Sequence, residues 1–198
     1  MNQNDKSSSG DSLAWRKSAA TLAALGRYEE ALELFADALS RDDKSAWIWA
    51  RYANLLGKLH RDEEALAVYR RATTLDPRFA GAWAKWLRSA TPKPGFAEAW
   101  FTLGEAQRSR HYDKKALDAY KRALALDPKF LLAWLARADV LRNHSRLDAA
   151  LASYDQALQI DESLARAWKG RGKALLSMGL GRREEALEAF RQATILDE

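Results

Sequence analysis

The chain has 198 residues, 47% hydrophobic and 30% charged, with a formal charge of +5 and no cysteine. These values suit a well-packed helical protein and exclude a disulfide framework or a thiolate metal site. No apolar run approaches the ~18 residues of a membrane-spanning helix.

The opening segment, residues 1–11, is polar, lacks the apolar stretch of a secretory leader, and is expected to be disordered. From there the chain is organised by tryptophan. Trp15, Trp49, Trp83, Trp100, Trp134 and Trp168 stand 34, 34, 17, 34 and 34 residues apart. A period near 34 marks a helical repeat array, in which each unit is too small to bury its own apolar face and stacked units bury a shared one.

The first unit continues from Trp15 through Ala19, Leu22, Gly26, Ala31, Phe35 and Ala38. The second runs from Trp49 through Ala53, Leu56, Ala65, Tyr69, Ala72 and Pro77. Steps of three, four and seven place one apolar stripe on each helix. Ala53 and Ala65 let the two helices of a unit approach closely, and Tyr69 fills the gap to the next unit. Gly26 falls at a turn that needs a permissive backbone, and Pro77 stops the second helix. The third unit is half present: residues 80–90 read as a first helix, and Thr-Pro-Lys-Pro-Gly then halts it. The fourth unit restarts at Phe96 and gives Trp100, Leu103, Gly104, Ala116, Tyr120, Ala123 and Pro128. The fifth gives Trp134, Ala138, Leu141, Ala150, Tyr154 and Ala157, and the sixth Trp168, Gly172, Leu175, Gly179, Ala186, Phe190 and Ala193. His60, His111 and Ser145 occupy the turn position where the first and last units have glycine, and the last turn carries two extra residues around Leu180 and Gly181. The count is 11 helices.

This pattern resembles the tetratricopeptide repeat family (W-x2-L-G-x2-Y, then A-x3-F, then A and P) over residues 12–198, apart from the break near 91–96. The resemblance implies an all-α, right-handed α-α superhelix, or α-solenoid. The missing helix reverses the up-down alternation, so two sub-arrays are expected: residues 12–90, with two repeats and an unpaired helix, and residues 97–198, with three repeats, joined by a Pro/Gly linker at 91–96. The 80–90 helix is expected to be a poor polar cap, because Trp83 and Trp86 make it apolar, and to be covered by the other sub-array or another chain.

Catalytic signals are weak. His60, His111 and His144 lie at separate turns without metal-ligand spacing. The Glu-Glu pairs at 29–30, 63–64 and 184–185 open helices, where they complement the helix dipole. No nucleophile–base set stands out, so no enzymatic activity, cofactor or metal is expected. The basic residues are interleaved with acids, so nucleic acid is not an expected partner, and neither is a membrane. The expected location is the cytoplasm.

In this family, positions 2, 5, 9, 12 and 13 of each first helix face a concave groove. Carried over, they give Arg16; Trp47, Asn54 and Lys58; Arg88; Phe101 and Arg108 with Glu98 and Glu105; Leu132, Leu135 and Arg142 with Asp139 and Asn143; and Arg166, Lys169 and Lys173. Phe101, Leu132 and Leu135 are expected to form an apolar strip, and Arg166, Lys169 and Lys173 a basic face. The implied function is a non-enzymatic scaffold that holds a peptide with acidic and apolar residues. The alternative is a self-assembling array pairing through the last helix or the 80–90 helix, hence a homo-oligomer. The lysine-x3-asparagine pattern of the family's chaperone-tail clamp falls on Arg16 and Ala20, or on Phe101 and Glu105, and matches neither.

Overall fold

The computed structural model describes residues 15–90 and 95–197. The expected disordered segment, and the linker apart from Gly95 and Phe96, lie outside these residues. Eleven helices are described: α1 (15–24), α2 (Tyr28–Arg41), α3 (Ala46–Lys58), α4 (Asp62–Leu75), α5 (Ala80–Ser89), α6 (Phe96–Arg108), α7 (Asp113–Leu126), α8 (Leu131–Asn143), α9 (Leu147–Ile160), α10 (Ala165–Ser177) and α11 (Arg183–Leu196). There is no strand among the described residues. The chain divides into two units, Met1–Thr91 and Pro92–Glu198.

The periodic residues form the core. Ala53, Leu56, Ala65, Tyr69 and Ala72 are buried in the first unit, and Ala138, Leu141, Ala150, Tyr154 and Ala157 in the second. Small residues permit the close approach. A Cβ at Gly104 would overlap the Tyr120 ring, and one at Gly57 the Trp86 indole. The turns between paired helices are left-handed at one residue: His60 (φ 57°), His111 (φ 58°) and Ser145 (φ 56°), with Gly26 (φ 77°) at the same place in the first turn. The lengthened last turn winds into a 3-10 segment, Leu180–Arg182.

Three of the tryptophans tie a first helix to the loop before it. Nε1 of Trp49, Trp134 and Trp168 donates to the backbone carbonyl six residues earlier, on Asp43, Pro128 and Glu162, at 2.7–2.9 Å. In these three repeats the bond holds the indole to the loop. Trp83 and Trp100 are buried, and the other four of the series are half-buried.

The unpaired helix α5 anchors both of its indoles on one phenol ring of its own unit. Trp83 stacks on Tyr69 (centroids 6.3 Å apart, planes within 7°), and Trp86 packs on the same ring at 5.4 Å. Its exposed residues, Gly81, Ala82, Lys85, Arg88 and Ser89, are small, polar or basic.

Candidate functional site

In the first unit, α1, α3 and α5 are the first helices of their repeats, and two clefts open between them. One cleft of about 360 Å³ lies between α1 and α3. It exists because α1 presents Ala19, Ala20 and Ala23 where larger side chains would fill the space. Phe35, Trp47 and Leu55 complete an apolar lining, and Arg16, Lys17, Arg51 and Asn54 supply polar groups. Trp47 is braced by Trp15 (6.3 Å) and Phe35 (6.1 Å). The guanidinium carbons of Arg16 and Arg51 lie 4.8 and 5.4 Å from its ring centroid, within cation–π range. Among the described residues, no acid lines this cleft.

The other cleft, about 570 Å³, lies between α3 and α5. Asn54 lines it too, together with Gly57, Lys58, His60, Lys85, Trp86 and Ser89. Its one acidic lining residue, Asp62, is only 9% exposed. Behind Asn54, burial pushes the Tyr69 phenol up to about 12. The neighbouring Asn54 amide opposes that shift, although the Tyr69 hydroxyl makes no hydrogen bond of ordinary geometry.

The second unit treats its charges differently. Glu105 accepts from Arg108 at 2.6 Å and also from the Tyr120 hydroxyl. Burial raises the Glu105 pKa, but the hydrogen bonds from Arg108 and Tyr120 outweigh it and hold the carboxyl below its usual value. Burial and the adjacent Glu105 both push the Tyr120 phenol up. One repeat later, Asp139 accepts from Tyr154 at 2.6 Å and from Arg166 at 2.7 Å, and Arg142 donates to the Tyr154 hydroxyl at 3.3 Å. Arg108 and Arg166 are thus matched by acids of this face, while Arg142 meets a phenol.

The expected groove residues therefore separate. Arg16, Trp47 and Asn54 come together in the first cleft, and Asn54 and Lys58 in the second. Arg88 is exposed on α5 and lines neither. Phe101 is half-buried against Tyr120 (6.0 Å) and Phe130 (5.1 Å), and Leu132 is 51% exposed. Leu135 is 2% exposed within the core, so the apolar strip of Phe101, Leu132 and Leu135 does not form on a surface. Arg108, Arg142 and Arg166 are engaged as above. Lys169 and Lys173 are exposed, with no carboxylate bound to either ammonium among the described residues. Sequence reasoning missed Lys17, Arg51 and Lys85. Arg51 was accessible to it, since it follows Trp47 by one helical turn.

Among the described residues, no group of three His, Asp or Glu side chains could hold a metal ion, and no helix is long and apolar enough to cross a membrane.

Family models described as tetratricopeptide repeat match residues 22–85 and 97–130, and one described as TPR repeat matches 138–179. Among solved structures, a MamA crystal form is 21% identical, with 93% of this chain and 97% of that chain covered and a TM-score of 0.57. A further MamA structure is 19% identical over 93% and 91% of the two chains, with a TM-score of 0.52. YrrB, described as a TPR protein with an unusual peptide-binding site, is 24% identical over 82% of this chain and 91% of its own, with a TM-score of 0.53. Likeness at this identity establishes the fold. No curated protein sequence matches.

Proposed function

The chain belongs to the tetratricopeptide repeat family, and from that premise we propose that it is a non-enzymatic scaffold whose first unit binds a partner peptide carrying acidic and bulky apolar residues. The observation that carries this reading is the α1–α3 cleft: an apolar lining with Arg16, Lys17 and Arg51 around it and no acid among its described lining residues. Such a site takes an apolar side chain out of water while pairing flanking carboxylates. The peptide-binding site of YrrB gives a precedent on the same fold.

The test is fluorescence anisotropy with a labelled acidic peptide containing one phenylalanine. Charge reversal at Arg16→Glu and Arg51→Glu together is expected to weaken binding at least tenfold, with the circular dichroism melt unchanged. Undiminished binding by the folded double variant would remove the first unit's groove from consideration.

A second reading is self-assembly through α11. The leucine that follows the small alanine of a second helix is buried in two repeats, with Leu32 5% and Leu151 8% exposed, and half-buried at Leu66 and Leu117, yet Leu187 is 58% exposed. Ile195 and Leu196 add 64% and 38% exposure beside it. A second copy seated there predicts an oligomer at micromolar concentration that Leu187→Glu dissolves. Light scattering that finds only monomer in the unsubstituted chain would reject it.

A further inference from the structure

We infer that the two clefts of the first unit form one bipartite peptide site, in which the α1–α3 cleft takes a bulky apolar side chain and the α3–α5 cleft takes a carboxylate about three residues away. The inference rests on the peptide-binding reading above and adds a register to it.

The two clefts differ in chemistry. The α1–α3 cleft is floored by alanines, Phe35 and the Trp47 indole. It offers apolar surface first and charge around it. The α3–α5 cleft is more polar. Lys58 and Lys85 reach it from facing helices, and Ser89 and Asn54 add hydrogen-bonding groups. Two ammonium groups and two neutral polar groups in one cleft suit a carboxylate better than any apolar group. Asp62, at the first position of α4 and 9% exposed, also lines this cleft, so two lysines share it with one carboxylate.

The clefts also adjoin. Asn54 lines both, and only α3 separates them. A helix with its side chains is about 10 Å across. An extended peptide covers that distance in about three residues, at ~3.3 Å each. An Asn54 side chain between the two clefts is placed to bond the peptide backbone in passing, since its amide both donates and accepts.

The charge pattern of the chain supports this address. In the second unit the corresponding helices carry Glu105 and Asp139, which already hold Arg108 and Arg166. In the first unit the same positions are Ala20 and Asn54, neither of them acidic.

The experiment uses the full chain and synthetic, C-terminally amidated peptides of serine and glycine. Each carries one phenylalanine and one Glu-Glu pair, starting three or seven residues after the phenylalanine, and a control carries the phenylalanine alone. Anisotropy is expected to give at least tenfold tighter binding for the three-residue spacing in one of the two chain directions. That preference is expected to vanish in Lys58→Gln/Lys85→Gln, whose melting curve reports that the fold is kept. If phenylalanine-dependent binding requires Arg16 and Arg51 but ignores both spacing and the two lysines, the bipartite site is wrong while the peptide-binding reading stands. If no peptide binds, both fall.

Discussion

The Tyr120 hydroxyl donates to the Glu105 carboxylate fifteen residues earlier, joining the two helices of one repeat at the groove surface. The same bond recurs between Tyr154 and Asp139. Where the earlier position is Ala20 or Lys173, and so offers no acceptor, the aromatic is Phe35 or Phe190. A buried hydroxyl without an acceptor costs about 1–3 kcal/mol, so the hydroxyl is present only where something can receive it. Tyr69, facing the neutral Asn54, is the exception, and its hydroxyl is unsatisfied.

Removing the hydroxyl with Tyr120→Phe is therefore expected to destabilise the second unit by about 1–2 kcal/mol, a bond to a charged acceptor being lost. For a unit of this size that is a fall of several degrees in Tm, about 4–8 °C per kcal/mol. Differential scanning calorimetry measures it. An unchanged Tm would mean that the bond contributes nothing in solution.

The same carboxylate gives a pH dependence. The Glu105 pKa is depressed in the folded chain. Its contribution is therefore present above the ordinary glutamate value near ~4.3 and is lost as pH falls through the lower folded value. Urea midpoints taken from neutral pH down into the acid range should fall less steeply in Glu105→Gln than in the unsubstituted chain. Exposed acids such as Glu30 and Glu64 are common to both and cancel in the comparison.

Asn54→Asp joins stability to function. A carboxylate there would give the Tyr69 hydroxyl the acceptor that Tyr120 and Tyr154 already have, and the melting temperature is expected to hold or rise. It also places a negative charge beside Arg51 and between the two clefts. Binding of an acidic peptide should weaken about tenfold, with the loss shrinking as salt is added. A variant that melts higher and still binds equally well would separate Asn54 from the site.

The left-handed turn residues make a further prediction. His111 and Ser145 hold φ near 57° and carry a Cβ, which costs about 1–2 kcal/mol in that region. Glycine removes that cost and returns about 0.5–1 kcal/mol in unfolded-chain entropy. His111→Gly and Ser145→Gly should each raise Tm by a few degrees, whereas Ser145→Val should lower it, because a β-branched side chain fits this region worst.

By itself the sequence determined the repeat, the helices and their ends. These depend on short-range rules: an apolar stripe at helical spacing, a small residue where helices touch, a left-handed residue at the turn, and a proline where a helix stops. The half-period at Trp83 was equally plain, because one missing helix shifts every later tryptophan. Only the tertiary structure decided which groove charges are free. Arg166 is matched by Asp139, twenty-seven residues away in the chain, and Arg16 meets Trp47 from another helix. It also turned Leu135 inward and faced both α5 indoles towards Tyr69. Spacing along a helix fixes the face a residue occupies, but the neighbour on that face belongs to another helix. Charge pairing and burial are settled by that neighbour.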